Sequence, residues 1–192
     1  MADKSRLRWP FTIRLLHWLS VVTFAIQIAL SFGPMKGSGM ASMLWLPSHI
    51  STGVLIFLLT VFRLVIRVCT RAPDRSPSLP ARAAAALVQW CLYAFVLAVV
   101  ITGWLAYRPM PLMPPARLFG SLPIPKAPSF AGLNARDFIA VHSTLFWVLA
   151  TLVAVHVLVA AMHAVLFRDG VMSGMLFRRS REAKAEDGGF AG

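Results

Sequence analysis

Five histidines carry most of the chemistry open to this sequence: His17, His49, His142, His156 and His163. All lie in or beside strongly apolar stretches. An imidazole placed there is costly to bury and commonly binds a metal, relays a proton or bridges two helices. Three of them share one stretch, Asp137 to Phe167, which is almost unbroken apolar sequence. His142 and His156 are 14 residues apart, so on a helix they return to nearly one face about 21 Å apart. His163 follows seven residues later, close to the same face and about 10 Å further on. If the stretch is a helix, it carries a column of three imidazoles.

The elements that must hold these residues follow from composition. The chain has 192 residues, is 58% hydrophobic with 14% charged residues, and has a mean hydropathy of +0.71. A soluble domain would run nearer 25% charged. The net charge of +12 could suit nucleic acid. The charges lie between apolar blocks, however, which fits membrane topology and argues against a nucleic-acid surface. Cys69 and Cys91 form no CxxC or CxxCH pattern, so zinc-finger and covalent c-type haem readings fail, and each reads as a packing residue.

Four spans are expected. A basic head, residues 1–12, ends at Pro10, a good helix starter, and the next two residues. The first span, 13–32, is too long for a secretory signal and lacks a small-residue cleavage site, so it reads as retained. A Gly-rich loop, 33–43, leads to a second span at 44–68, with His49 near its start and Arg63 and Arg67 near its end. Residues 70–82 read as a loop, and 83–107 as a third span without histidine, where Gly103 permits close approach. The loop 108–136 holds seven prolines, and its apolar LFGSLPIP segment is expected to lie on the membrane surface. The fourth span, 138–167, is followed by a frayed tail, 168–192. The fold class expected is all-α: a transmembrane four-helix bundle.

Fourteen of the 19 basic residues fall in or beside the head, the second loop and the tail, against five in the first and third loops. The positive-inside rule then places both termini in the cytoplasm. With that orientation, His49 and His142 share the outer depth, and His17 and His156 the inner depth. Each pair joins two helices. This is the geometry for clamping a flat macrocycle with one imidazole on each axial face of its iron, and two such haems would carry electrons across the bilayer.

Neighbouring residues agree. Gly53 and Ala160 each follow a ligand by four residues and leave room on its face, while Phe146, four after His142, can pack on a ring. Arg63 is 14 residues after His49, so it shares that face at the inner depth. There it could neutralise a haem propionate, or simply snorkel to the interface. A His-lined metal transporter is the competitor, because imidazoles also bind Zn or Cu. No Asp or Glu lies within any span, which disfavours it. His163 could replace His156 as the partner of His17, but it lies about 31 Å from His142, at or beyond the hydrocarbon edge. It reads instead as a hydrogen-bond and proton donor to a quinone, or as an interfacial histidine without a role.

These residues resemble the bacterial cytochrome b-561 family over about Trp9 to Phe177. The similarity rests on RLLHW at 14–18, SHISTG at 48–53, the FRLVIR end of the second span, and VHSTLFWVLATLVAVHVLVAAMHA at 141–164. The resemblance implies a di-haem cytochrome b of the bacterial inner membrane, with two haem b groups held by bis-histidine ligation. It also implies superoxide:ubiquinone oxidoreduction: superoxide oxidised on the periplasmic side, ubiquinone reduced near the cytoplasmic side. Arg117 and Lys126, with Arg108, Arg136 and Lys36, would steer superoxide, or else meet lipid headgroups. The alternative partner is a soluble redox protein, for which the chain would be an electron-transfer subunit of the quinone pool.

Overall fold

The computed structural model describes residues 9–36, 40–70, 79–109, 116–168 and 171–177. The expectations for residues 1–8 and 178–192, and for the prolines at 111, 114 and 115, lie outside the described residues. Four long helices dominate: α1 (Phe11–Phe32), α2 (Met40–Cys69), α3 (Leu79–Ala106) and α4 (Ala135–Met162). A short 3-10 turn, Pro34–Lys36, precedes α2, and α4 runs on through a π-helical turn, His163–Phe167. Each of the four helical segments is long and apolar enough to cross a membrane.

The helices begin where local chemistry permits. Pro10 stands just before α1, and its carbonyl accepts from the Arg14 N–H at 3.2 Å. α4 has a capping box: the Asn134 side chain accepts from the Asp137 N–H, while the Asp137 carboxylate accepts from the Asn134 N–H at 2.8 Å. Two free donors at a helix start are thereby satisfied reciprocally. All four helices start two to four residues earlier than hydropathy places them, α2 and α3 by the most. α2 begins at Met40 and carries Pro47 inside it, and α3 begins at Leu79 and takes in Arg82. Polar first turns still propagate a helix, although they lower the hydropathy by which spans were delimited.

Little of the protein is buried in itself. Ile13 and Leu149 are the largest fully buried side chains, with Ile56, Leu59 and Tyr93 nearby in exposure. Most Leu, Val, Ile and Phe side chains point outward, as they do where lipid is the solvent and small contacts between helices hold the bundle. Backbones approach within 8 Å between α1 and α2, α2 and α3, and α3 and α4. Among the described residues they do not do so between α4 and either α1 or α2. The helix with three histidines packs on α3 and stands off from the helices bearing the other two.

The proline-rich loop folds back onto the helices. Residues Arg117–Leu118 (β1) and Leu122–Pro123 (β2) form a short antiparallel hairpin. Its turn has Phe119 and Gly120 at φ 50° and 75°, the left-handed pair that a tight hairpin needs. The Phe119 N–H donates to Ser51 Oγ on α2 at 2.9 Å, and Trp104 Nε1 on α3 donates to the Pro125 carbonyl at 2.9 Å. Tyr107, almost fully buried, accepts from the Ala116 N–H at 3.0 Å. The loop is therefore tied to Ser51 within α2 and to the end of α3, while Phe119 and Leu122 stay exposed.

Candidate functional site

Four imidazoles meet as two pairs. His49 on α2 and His142 on α4 have ring centroids 6.2 Å apart, with planes at 73°. His17 on α1 and His156 on α4 have centroids 6.5 Å apart, with planes at 81°. A metal bonded to one nitrogen of each ring at about 2 Å would hold the two centroids about 6.4 Å apart, allowing about 1.2 Å from nitrogen to ring centre. Both pairs have that spacing. The α4 backbone comes within 8 Å of neither α1 nor α2 among the described residues, so only side chains meet across that gap. Among the described residues, no group of three or more His, Cys, Asp or Glu could hold a metal ion. Two facing neutral imidazoles without further protein ligands suit an ion whose other positions are filled by a macrocycle.

Each pair has distinct surroundings. His142 Nδ1 lies 2.8 Å from the Val99 carbonyl of α3, so this nitrogen carries the proton and donates it. Nε2 is then the nitrogen with a lone pair free to bind a metal. Gly103 lies one turn further along α3, against the same ring. Around His49, the Gln27 amide nitrogen is 3.1 Å from Nδ1 and 3.2 Å from Nε2, and Ser31 Oγ is 3.3 Å from Nδ1. Thr52 Oγ1 donates to Gln27 Oε1 and holds the amide in place. Phe146, one turn after His142, packs at an angle against Phe32 of α1 and edge-on against Trp147, at centroid distances of 5.8 and 5.4 Å.

At the other pair the neighbours are cationic. Arg63 lies half-buried on α2 with its guanidinium carbon 5.8 Å from the centre of the Tyr93 ring. Its Nε is buried without a hydrogen-bond partner among the described residues, as is His17 Nδ1. A donor so placed suits an anionic group such as a carboxylate. Gln89 joins the cluster, donating to Tyr93 Oη at 3.2 Å and accepting from Arg67 Nε at 3.4 Å. Residues 171–177 close this end: Arg14 Nη1 and Trp18 Nε1 donate to the carbonyls of Leu176 and Met175, each at 2.9 Å, and Phe177 packs on Phe11.

The remaining sequence candidates are placed as follows. His163 begins the π-helical turn, with its ring 5.2 Å from that of Phe167, and takes no part in either pair. Such turns are frequent at functional positions. Arg117 is exposed on the hairpin and donates to the Ser121 carbonyl at 3.1 Å; Lys126, Arg136 and Lys36 are also exposed. Arg108 differs from the expectation. Its guanidinium donates to the carbonyls of Leu105 and Tyr107 at 2.8 and 2.9 Å, so it caps the end of α3. Gly53 faces Gln27, at ordinary contact distance from an added Cβ.

Sequence reasoning overlooked Val99, Gln27, Ser31, Thr52, Tyr93 and Gln89. Gln27 and Ser31, four residues apart in an otherwise apolar span, were a readable signal of a shared polar face. Val99 gave none, because its backbone carbonyl makes the contact.

Residues 8–178 match the family profile described as prokaryotic cytochrome b561. No curated protein matches the chain. The match covers most of its length, and the chain belongs to the prokaryotic cytochrome b561 family. It is accordingly a membrane cytochrome b that binds haem b and takes part in electron transfer.

Proposed function

We propose that this member of the prokaryotic cytochrome b561 family holds two b haems and oxidises superoxide at one membrane face while reducing ubiquinone near the other. The observation that carries this reading is the pairing itself: two facing imidazole pairs, joined by one helix, with their α4 members 14 residues and about 21 Å apart. His49 and His142 would hold one haem, and His17 and His156 the other, with Arg63 near the propionates of the second. When bound, the haem irons supply reversible one-electron chemistry at these two depths.

The residues of the chain do the rest. Arg117 and Lys126 form a positive rim above the 49/142 end and raise the local concentration of a small anion. The spans exclude water between the two sites. His163 stands where a quinone can accept a hydrogen bond and, on reduction, a proton. The balanced reaction takes two superoxide ions, one ubiquinone and two protons to two dioxygen molecules and one ubiquinol. The charge distribution favours an inner-membrane protein with both termini in the cytoplasm, so that superoxide meets the periplasmic end. Lipid headgroups contact the exposed loop residues.

Purified protein tests the reading directly. A pyridine haemochrome assay is expected to give two b haems per chain, and a steady superoxide source is expected to accelerate ubiquinone reduction. If superoxide leaves that rate unchanged while a copurifying redox protein reduces the haems, the chain is an electron-transfer subunit instead.

A further inference from the structure

We propose that α3, the helix without a histidine, sets the orientation of His142 and thereby the properties of the 49/142 site, through the Val99 carbonyl and the bare backbone at Gly103. This deepens the haem reading above and rests on it. Val99 and Gly103 are four residues apart, so they occupy one face of α3. The Val99 carbonyl accepts the proton of His142 Nδ1 at 2.8 Å. A Cβ built on Gly103 would stand 2.9 Å from Cε1 and 3.0 Å from Nδ1 of the same ring. Those distances are shorter than side-chain carbons accept, so no residue but glycine permits the ring to lie where it does.

The two contacts act together. The carbonyl fixes which nitrogen is protonated, and the glycine lets the Nδ1–Cε1 edge settle against the helix. Between them they fix the ring plane, which stands at 73° to that of His49. A hydrogen bond from ligand to carbonyl also makes the imidazole a stronger donor to a metal. The 17/156 pair lacks such a seat at His17, whose Nδ1 is buried without a hydrogen bond among the described residues. Gly103 is thus a positioning residue for one site only.

The full-length haem-loaded protein tests this with Gly103→Ala, His142→Ala, the two combined, and Ile101→Ala as a change on the exposed side of α3. The readouts are haem per chain, the low-spin electron paramagnetic resonance spectrum and a potentiometric titration. His142→Ala identifies which signal belongs to the 49/142 site. Gly103→Ala is expected to shift that signal and weaken that haem on the order of 10–100-fold, as lost outer-shell contacts do, leaving the other signal intact. Ile101→Ala should change neither. In the His142→Ala background the Gly103→Ala change should add nothing, because the ring it would strike is gone. Two outcomes overturn the proposal: Gly103→Ala with wild-type spectrum and potentials, or Gly103→Ala equally damaging with and without the His142 ring. If Gly103→Ala alone fails to accumulate but the double variant accumulates like His142→Ala, the proposal is supported. Wild-type protein with fewer than two haems, or His142→Ala retaining both, would instead remove the haem reading beneath it.

Discussion

At the 49/142 end of the bundle the imidazoles meet neutral hydrogen-bonding groups, namely the Val99 carbonyl, the Gln27 amide and the Ser31 hydroxyl, under a hairpin tied to Ser51. At the 17/156 end the neighbours are Arg63 and the Tyr93 ring beneath its guanidinium, with residues 171–177 strapped across α1 through Arg14 and Trp18. The paired residues are of the same type at nearly the same spacing, so the histidines themselves cannot distinguish the two pairs. Their surroundings can. A ligand that donates to a carbonyl stabilises the more positive, oxidised metal, whereas a buried guanidinium stabilises the reduced one. If both pairs hold haem as proposed, this difference would favour electron flow from the 49/142 end to the 17/156 end.

The largest test of that contrast removes a ligand. His49→Ala or His142→Ala is expected to lose one haem of two, and His17→Ala or His156→Ala the other, each read by haemochrome content and by which spectral component disappears. Loss of both haems from a single substitution would mean that the sites are not independent. Next comes His163→Ala, expected to leave haem content unchanged and to slow quinone reduction by about 10²-fold, the low end for a lost proton donor. Should it cost a haem instead, His163 rather than His156 is the partner of His17.

Arg63→Gln bears on the electrostatic half of the contrast. One unit charge roughly 8 Å from a redox centre contributes about 2 kcal/mol at an effective dielectric near 20. The substitution should lower the midpoint potential of the 17/156 site by up to about that amount, in a redox titration that leaves the other site unmoved. An equal shift at both sites would make Arg63 a general surface charge. The smallest effect is expected from Arg117→Gln with Lys126→Gln: a few-fold slower reaction with superoxide, and a weaker dependence of that rate on ionic strength.

Much of this was readable before any coordinates. The 14-residue interval between His142 and His156, and the location of His17 and His49 near the starts of consecutive, oppositely directed spans, required only helix geometry and an orientation. The four apolar spans were equally plain from hydropathy. What stayed hidden has physical causes. Val99 contributes a backbone carbonyl, and a carbonyl leaves no mark in the choice of side chain. Gly103 was read as allowing helices to approach, yet the group that approaches is a histidine ring. The capping box at Asn134 and Asp137 was visible in principle, but the apolar run starting at Phe138 drew the boundary three residues late. Arg108 was counted among the steering charges because sequence does not reveal that the end of α3 leaves carbonyls beside it.

The separation of α4 from α1 and α2 has a consequence for how the molecule is made. α1 packs closely on α2, and α4 on α3, so the chain consists of two helical hairpins that a ribosome can deliver to the membrane one after the other. Among the described residues, the contacts between α4 and the first hairpin are made by side chains alone: the two histidine pairs, and Phe32 against Phe146 and Trp147. A prosthetic group gripped from both sides would act as the rivet. Maturation would then be limited by cofactor supply, and chains made when it is scarce would present an open cleft to the cell's membrane proteases.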